Sequence, residues 1–386
     1  MAAKRAYLDH NASAPLGEAA RAAVVCALDA ANPSSVHSEG RAARRLVEDA
    51  RRDVAALVGA KAEHVVFTSG ATEAATTLLT PDWRMGRSPL CMGRLYVSQA
   101  DHPCILNGGR FAPERVTRTG VDTDGIIDLA ELASFLDAHD KSEGLPLVAM
   151  HAANNETGII QPVAEIAALV KRAGGVLAVD AVQAAGRVPI DMSTGYADYL
   201  ILSSHKIGGP KGVGAIVAAA DLMMPAPLVV GGGQEKAHRG GTENLPAIAG
   251  FGAAAREALA GLADMDAVRL KRDEIEAIIM ALVPDAEIFG RGLLRLANTT
   301  FFAIPGVKAE TAQIAFDLAG VALSAGSACS SGKVGPSHVL KAMGRGESLG
   351  ALRVSIGPAT SAEDIEMFRK ALASVAARRA GREKAA

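Results

Sequence analysis

Tyr199-Leu200-Ile201-Leu202-Ser203-Ser204-His205-Lys206-Ile207-Gly208-Gly209-Pro210-Lys211-Gly212 joins a short apolar run to a glycine-rich turn, with one lysine between them. The apolar run reads as a buried strand. Lys206 stands just beyond its carboxyl end, where open α/β sheets present side chains to a ligand. An amine held there can form a Schiff base with a carbonyl compound. The hydroxyl groups and the His205 imidazole just before it suit an anion such as phosphate. The plainer reading of the same stretch is a surface turn carrying an ordinary lysine.

Working outward, further apolar runs occur at His64 to Phe67, Leu95 to Val97, Leu145 to Met150, Val176 to Val179 and Val213 to Val217. Helical patterns lie between or before them at Glu18 to Ala31, Glu39 to Val58 and Val163 to Arg172. Unbroken strands alternating with helices predict an α/β fold with a mostly parallel, two-sided sheet. After about Gly252 the texture changes. A charge-rich helical stretch from Ala253 to Leu282 precedes strands at Asn298 to Ile304, Val321 to Ser324 and Leu352 to Ile356. Helices are expected at Glu310 to Leu318 and Ser361 to Ala377. This predicts a smaller α+β domain. The expected division is a large domain over 15–252 and a small one over 1–14 and 253–386.

Bulk properties narrow the function. A chain of 386 residues with 49% hydrophobic and 21% charged residues suits two packed domains. The net charge of −2, with both signs interspersed, gives no basis for nucleic-acid or membrane-surface binding. No run approaches the roughly 18 apolar residues of a membrane helix. The first residues lack a signal peptide's apolar segment. Cys26, Cys91, Cys104 and Cys329 are scattered, without a disulfide or metal-knuckle spacing, so a reducing cytoplasm is expected.

Other polar groups cluster at strand ends. Thr68-Ser69-Gly70-Ala71-Thr72-Glu73 opens a helix, and its backbone N–H groups and hydroxyls could hold an anion or simply cap the helix. Asp180 could pair with a pyridinium nitrogen or cap the following turn. His102 could stack on a planar ring and move protons, or be a solvated loop residue. Cys329, in Ser324-Ala325-Gly326-Ser327-Ala328-Cys329-Ser330-Ser331-Gly332, sits among small residues and suits a reactive thiol. Cys26, Cys91 and Cys104 read as structural. Arg353, a charge in an apolar strand, could clamp a substrate carboxylate or form an internal ion pair.

Taken in order, these pieces resemble the cysteine desulfurases, in the class V aminotransferase group of fold-type I pyridoxal-phosphate enzymes. The resemblance covers almost the whole chain. It runs from Tyr7-Leu8-Asp9-His10-Asn11-Ala12 and Asn32-Pro33-Ser34-Ser35-Val36-His37 through Phe67 to Glu73. Asn154-Asn155-Glu156-Thr157-Gly158 and Asp180-Ala181-Val182-Gln183-Ala184 follow, then Ser203 to Gly212. It closes with Gly231-Gly232-Gly233-Gln234-Glu235, Arg239-Gly240-Gly241-Thr242, the Cys329 segment and Arg353.

The resemblance implies a seven-stranded, mostly parallel sheet in the large domain and pyridoxal 5′-phosphate as cofactor. By position, Lys206 would form the Schiff base, Asp180 would pair with the ring nitrogen and His102 would stack and transfer protons. Gln183 and Asn155 would contact the ring oxygen. Gly70, Ala71, Thr72, Ser203 and His205 would hold the phosphate. Thr242 would come from a second subunit, implying a homodimer with shared sites. Arg353, helped by Asn155, would hold the carboxylate of L-cysteine. Cys329 would take the sulfur as a persulfide and pass it to an iron–sulfur scaffold or a carrier protein. No resident metal is implied, although an iron–sulfur cluster could engage Cys329 transiently. Asp101, Ala75-Thr76, Gly208, His10 and Ser13 depart from the family's usual residues, and none removes a chemical group.

Other functions share parts of this pattern. A transaminase or selenocysteine lyase would keep Lys206 and Asp180, and a transaminase would have no need of Cys329. A catalytically idle partner would be colourless. A nicotinamide dehydrogenase would want a G-x-G-x-x-G turn after the first strand, which is missing.

Overall fold

Parallel strands with apolar residues on both faces set the architecture of the chain. The computed structural model describes residues 4–326, 337–345 and 350–383. Its central strands are β1 Val65–Thr68, β2 Ser88–Ser98, β3 Val116–Thr119, β4 Leu145–His151, β5 Val176–Asp180, β6 Tyr199–Ser203 and β7 Gly214–Ala218. They lie in the order β3-β2-β4-β5-β6-β7-β1. The pairs from β3 to β6 are parallel, and β7 runs antiparallel to both neighbours. Two short strands, Asp82–Met85 and Met223–Pro225, extend the sheet past the polar start of β2.

Asp82–Met85 and β3 show no apolar run, and Met223–Pro225 is only three residues long. β3 is Val-Thr-Arg-Thr at an edge, with only Thr119 buried. An edge strand needs no apolar face on both sides, so its pattern carries little signal.

The period of two decides which residue faces which layer. Val148, Met150, Leu177, Val179, Leu200 and Leu202 pack on one side with the helices α2 Ser38–Leu57, α6 Val163–Ala173 and α7 Leu245–Ala260. Leu147, Ala149, Val176, Ala178, Tyr199 and Ile201 pack on the other with α3 Ala71–Leu78 and with Ile105 of α4 Pro103–Leu106. In α2 the buried Ala43, Val47, Ala50 and Val54 form one helical stripe. His37 caps it by accepting a hydrogen bond from the Gly40 N–H.

Helix α7 runs across the division expected at 252. It packs on α2 and on α1 Glu18–Ala27, with Gly252 so close to Ala50 that a Cβ would stand 2.5 Å from its Cα. The continuous helix expected from Ala253 to Leu282 is broken by a turn at Gly261–Asp264, after which α8 spans Met265–Leu282.

A second core gathers Phe302 of β8 Thr299–Ala303, Phe316 of α9 Ala309–Leu318 and Phe368 of α11 Ala362–Glu383. β8 pairs with β9 Leu352–Ser355. Ala6–Tyr7 pairs with Val321–Ala322, so the amino-terminal strand is built into this unit. Asn11, fully buried, links the two units. Its Nδ2 donates to Thr299 Oγ1 (2.9 Å) and to the Asn155 carbonyl (3.3 Å).

One loop is held by a buried ion pair. Glu235, Lys236 and Ala237 all have left-handed backbone, at φ 45°, 54° and 67°. L-residues resist this conformation, so something must hold it. The Glu235 carboxylate accepts from Arg51 Nη1 (2.8 Å), Arg51 Nη2 (2.7 Å) and the Phe67 N–H (2.8 Å), and Arg51 lies 5.0 Å over the Phe67 ring. Glu235→Ala would leave the buried Arg51 guanidinium with only the Val65 carbonyl and the more exposed Glu48 carboxylate. The expected loss is about 3–5 kcal/mol, read as a lower denaturant midpoint.

Candidate active site

Three neighbouring parallel strands end on polar side chains: β4 on His151, β5 on Asp180 and β6 on Ser203. The register places His151 opposite Asp180, and Asp180 opposite Ile201. Beyond these carboxyl ends lies a cavity of about 570 Å³. Gly70, Ala71, Thr72, His102, Asn155, Asp180, Gln183, Ser203, His205 and Lys206 all line it. Ten residues separated by more than a hundred positions therefore meet in one place.

The anion end is formed where β6 and β7 meet the start of α3. Gly214 is the register partner of Ser203, and a Cβ on it would come within 2.6 Å of the Leu202 carbonyl and 2.8 Å of the Gly70 Cα. Only glycine lets the Gly70 turn lie this close to Ser203. The first N–H groups of a helix have no intrahelical partner, so the start of α3 favours an anion. Glu73 accepts from the Ser69 N–H (2.9 Å) and from Arg239 Nε (3.1 Å), bracing the turn from outside.

At the other end, Asp180 is buried and accepts the Val182 N–H at 2.9 Å. Burial pushes its carboxyl up to about 6, against the pull of that hydrogen bond. A buried carboxyl of this kind is suited to a cationic ring nitrogen. Beside it, His151 gives its Nδ1 proton to Asp101 (2.6 Å), and its Nε2 has no hydrogen-bond partner among the described residues.

Lys206 Nζ donates to the carbonyls of Asn11 (2.5 Å) and Ala12 (3.0 Å). Gln183 Nε2 donates to the same Asn11 carbonyl at 3.0 Å. Burial, then the Lys206 charge, lowers both His102 and His205 to about 4. Both rings are therefore neutral at neutral pH.

Arg353 does not line the cavity. It is fully buried and ion-paired with Asp9 (2.7 Å), and its Nη1 donates to the Asn155 carbonyl at 2.9 Å. The internal ion pair is thus what the resting structure shows. Thr242 lines a separate cavity of about 150 Å³, which adjoins the first through Ser69, Gly212 and Val213. Cys329 lies outside the described residues.

Cys104 and His151 are among the cavity residues that were not anticipated. Cys104, read as structural, lines the cavity. His151 lines it too, one position past an apolar run. Its strand-end place was the available signal, the same one that marks Asp180.

The class-V aminotransferase model matches residues 6–368. The chain belongs to this family. Among its relatives, a cysteine desulfurase of Cereibacter sphaeroides is 40% identical over 382 residues, covering 96% of this chain and 95% of that protein. A putative cysteine desulfurase of Bacillus subtilis is 35% identical, covering 97% and 99%. Among solved structures, a NifS-like protein from Rickettsia africae superposes with a TM-score of 0.85 at 31% identity, covering 96% of this chain and 99% of that one.

Class-V aminotransferases use pyridoxal 5′-phosphate, and the cavity fits it. An amine, a buried carboxyl beside a partnerless imidazole nitrogen, and a helix start next to Ser203 and His205 match its aldehyde, ring nitrogen and phosphate.

Proposed function

We propose that this chain is a cysteine desulfurase, converting L-cysteine to L-alanine and capturing the sulfur as a persulfide on Cys329. The observation that carries the reading is one cavity holding Lys206, Asp180, His102 and the Gly70–Thr72 turn, in a chain that resembles named desulfurases along nearly its full length.

Pyridoxal 5′-phosphate, when bound, supplies a carbonyl for the substrate amine and a ring that accepts electrons. Lys206 would hold the cofactor and then carry the proton removed from the substrate Cα. Asp180 would keep the ring nitrogen protonated. Gln183 and Asn155 would orient the ring oxygen, and His102, neutral at working pH, would cover the ring face and pass protons. Gly70, Ala71, Thr72, Ser203 and His205 would hold the phosphate. Arg353 would exchange Asp9 for the substrate carboxylate. The Cys329 thiolate attacks the substrate sulfur; the substrate C–S bond breaks, an S–S bond forms, and the carbon takes up a proton to leave as alanine.

Two chains pair, each lending Thr242 to the other's site. Two features support this. Thr242 lies outside its own chain's main cavity. Its neighbour Glu243 is buried; among the described residues neither carboxylate oxygen is hydrogen-bonded, and only Arg44 is within ion-pair range, at 3.7 Å. The sulfur goes to an iron–sulfur scaffold or a carrier protein. Among the described residues Cys26, Cys91 and Cys104 are free thiols, in keeping with a cytoplasmic setting.

The test is an assay of purified protein loaded with pyridoxal phosphate and given L-cysteine and a thiol reductant. Alanine and sulfide should appear in equal amounts. Sulfide without alanine, or neither product from a coloured protein, would overturn the reading in favour of another substrate of the same family.

A further inference from the structure

Cys104 has a position that neither the phosphate cup nor sulfur capture explains. It is the second residue of α4, whose first residue is Pro103. Proline has no N–H, so the first backbone donor of this helix belongs to Cys104. That N–H donates to His102 Nδ1 at 3.2 Å, and the Cys104 Sγ lies 3.0 Å from the same nitrogen. One ring atom thus faces two groups of one residue, and both line or border the cavity.

We propose that Cys104 is a positioning residue for His102, its thiol sharing Nδ1 with the Cys104 N–H as a second donor, so that the ring proton is held on Nε2. The backbone N–H already makes Nδ1 an acceptor. The thiol can join it as a donor only if it keeps its proton, and the surroundings see to that. Burial, with Asp180 and Asp101 nearby, pushes the thiol well above its ordinary range. The ring is kept neutral by burial and then by the Lys206 charge, which together outweigh Asp101.

His338 comes from the short helix α10 His338–Ala342, and its Nε2 lies 2.8 Å from the Asp101 carbonyl. The consequence is directional. His102 donates a hydrogen bond from Nε2, and it passes a proton only by accepting one at Nδ1 in exchange for the two hydrogen bonds there. A thiol held protonated is also a poor sulfur acceptor, so Cys104, although it lines the cavity, is not a rival to Cys329.

The inference rests on the reading of His102 as the group that covers the cofactor ring, and its test does not depend on turnover. Holoenzyme labelled with 15N-histidine, with His102 assigned through His102→Gln, reports each ring nitrogen separately. Wild type should show an unprotonated Nδ1 and a protonated Nε2 at neutral pH. In Cys104→Ala the His102 midpoint should rise by about half to one pH unit, the effect of losing one hydrogen bond to the neutral ring. The acid limb of the activity profile should move with it. Cys104→Ser, which restores a donor, should bring both back toward wild type.

A protonated Nδ1 in wild type would overturn the proposal. So would a Cys104→Ala midpoint equal to wild type, or a serine variant that behaves like alanine. Absence of desulfurase activity with the ring signals as expected would instead count against the proposed reaction alone.

Discussion

Lys206→Ala is expected to lower activity by at least ~10³-fold while the protein stays folded. The amine lines the cavity and its charge acts on Asp180, and on the proposed reading its removal takes away the group that would bind the cofactor carbonyl. The visible absorbance of the bound cofactor should be lost with it. Folding should be little affected. The Asn11 carbonyl that receives Lys206 also receives Gln183 Nε2, so it stays hydrogen-bonded in the variant.

Electrostatics give a second reading of the same variant. Lys206 helps to hold His102 and His205 down near 4, after burial. A nearby cation disfavours protonation, so removing it should raise both values, though burial keeps them below the ordinary range of histidine. Lys206→Arg separates the two effects. It retains the charge, leaves the imidazoles low and still cannot react as a free amine. A Lys206→Ala protein that keeps the cofactor absorbance would show that another amine holds the carbonyl.

The parts of this site that were legible in the sequence share one feature: they stand at the ends of buried strands. Asp180 and Ser203 follow apolar runs directly, Lys206 stands three residues beyond Ser203, and Gly70 to Thr72 follow Val65–Thr68. A run buried on both faces can be recognised from composition alone, and its first polar residues mark the ligand side. Where that logic weakens, so does the reading. β3 lies at an edge and carries polar residues, so nothing announced it. Gly261 divides α7 from α8 although the charged, helical texture continues across it. Arg353 could have met a substrate carboxylate or an internal one. The choice of Asp9 depends on an amino-terminal strand more than three hundred residues away. The place of Cys104 in the cavity lining was not legible because it depends on a turn: Pro103 removes the first donor of α4 and leaves the next one to His102.

Cys329→Ser is expected to reduce alanine and sulfide release by at least ~10³-fold while leaving cofactor binding intact. A serine hydroxyl stays protonated at neutral pH and cannot accept the substrate sulfur as a thiolate does. The variant should therefore bind L-cysteine, exchange its Cα proton through Lys206 and stop before the C–S bond breaks. Solvent deuterium entering recovered cysteine would show that this earlier step survives.

The other thiols supply the controls. Cys26 and Cys91 are exposed and lie outside the cavity lining, so serine at either should be neutral. Cys104 is inside the cavity, near enough to be a rival acceptor by position. It differs in charge state: burial beside Asp180 and Asp101 keeps its proton on, and a neutral thiol is a weak nucleophile. Persulfide found on Cys104 in the Cys329→Ser protein, with turnover retained, would overturn both the assignment of Cys329 and the argument that the cavity thiol is held inert. Loss of turnover in Cys329→Ser alone, with Cys104→Ser active, is the result that the proposed role of Cys329 and the surroundings of Cys104 require.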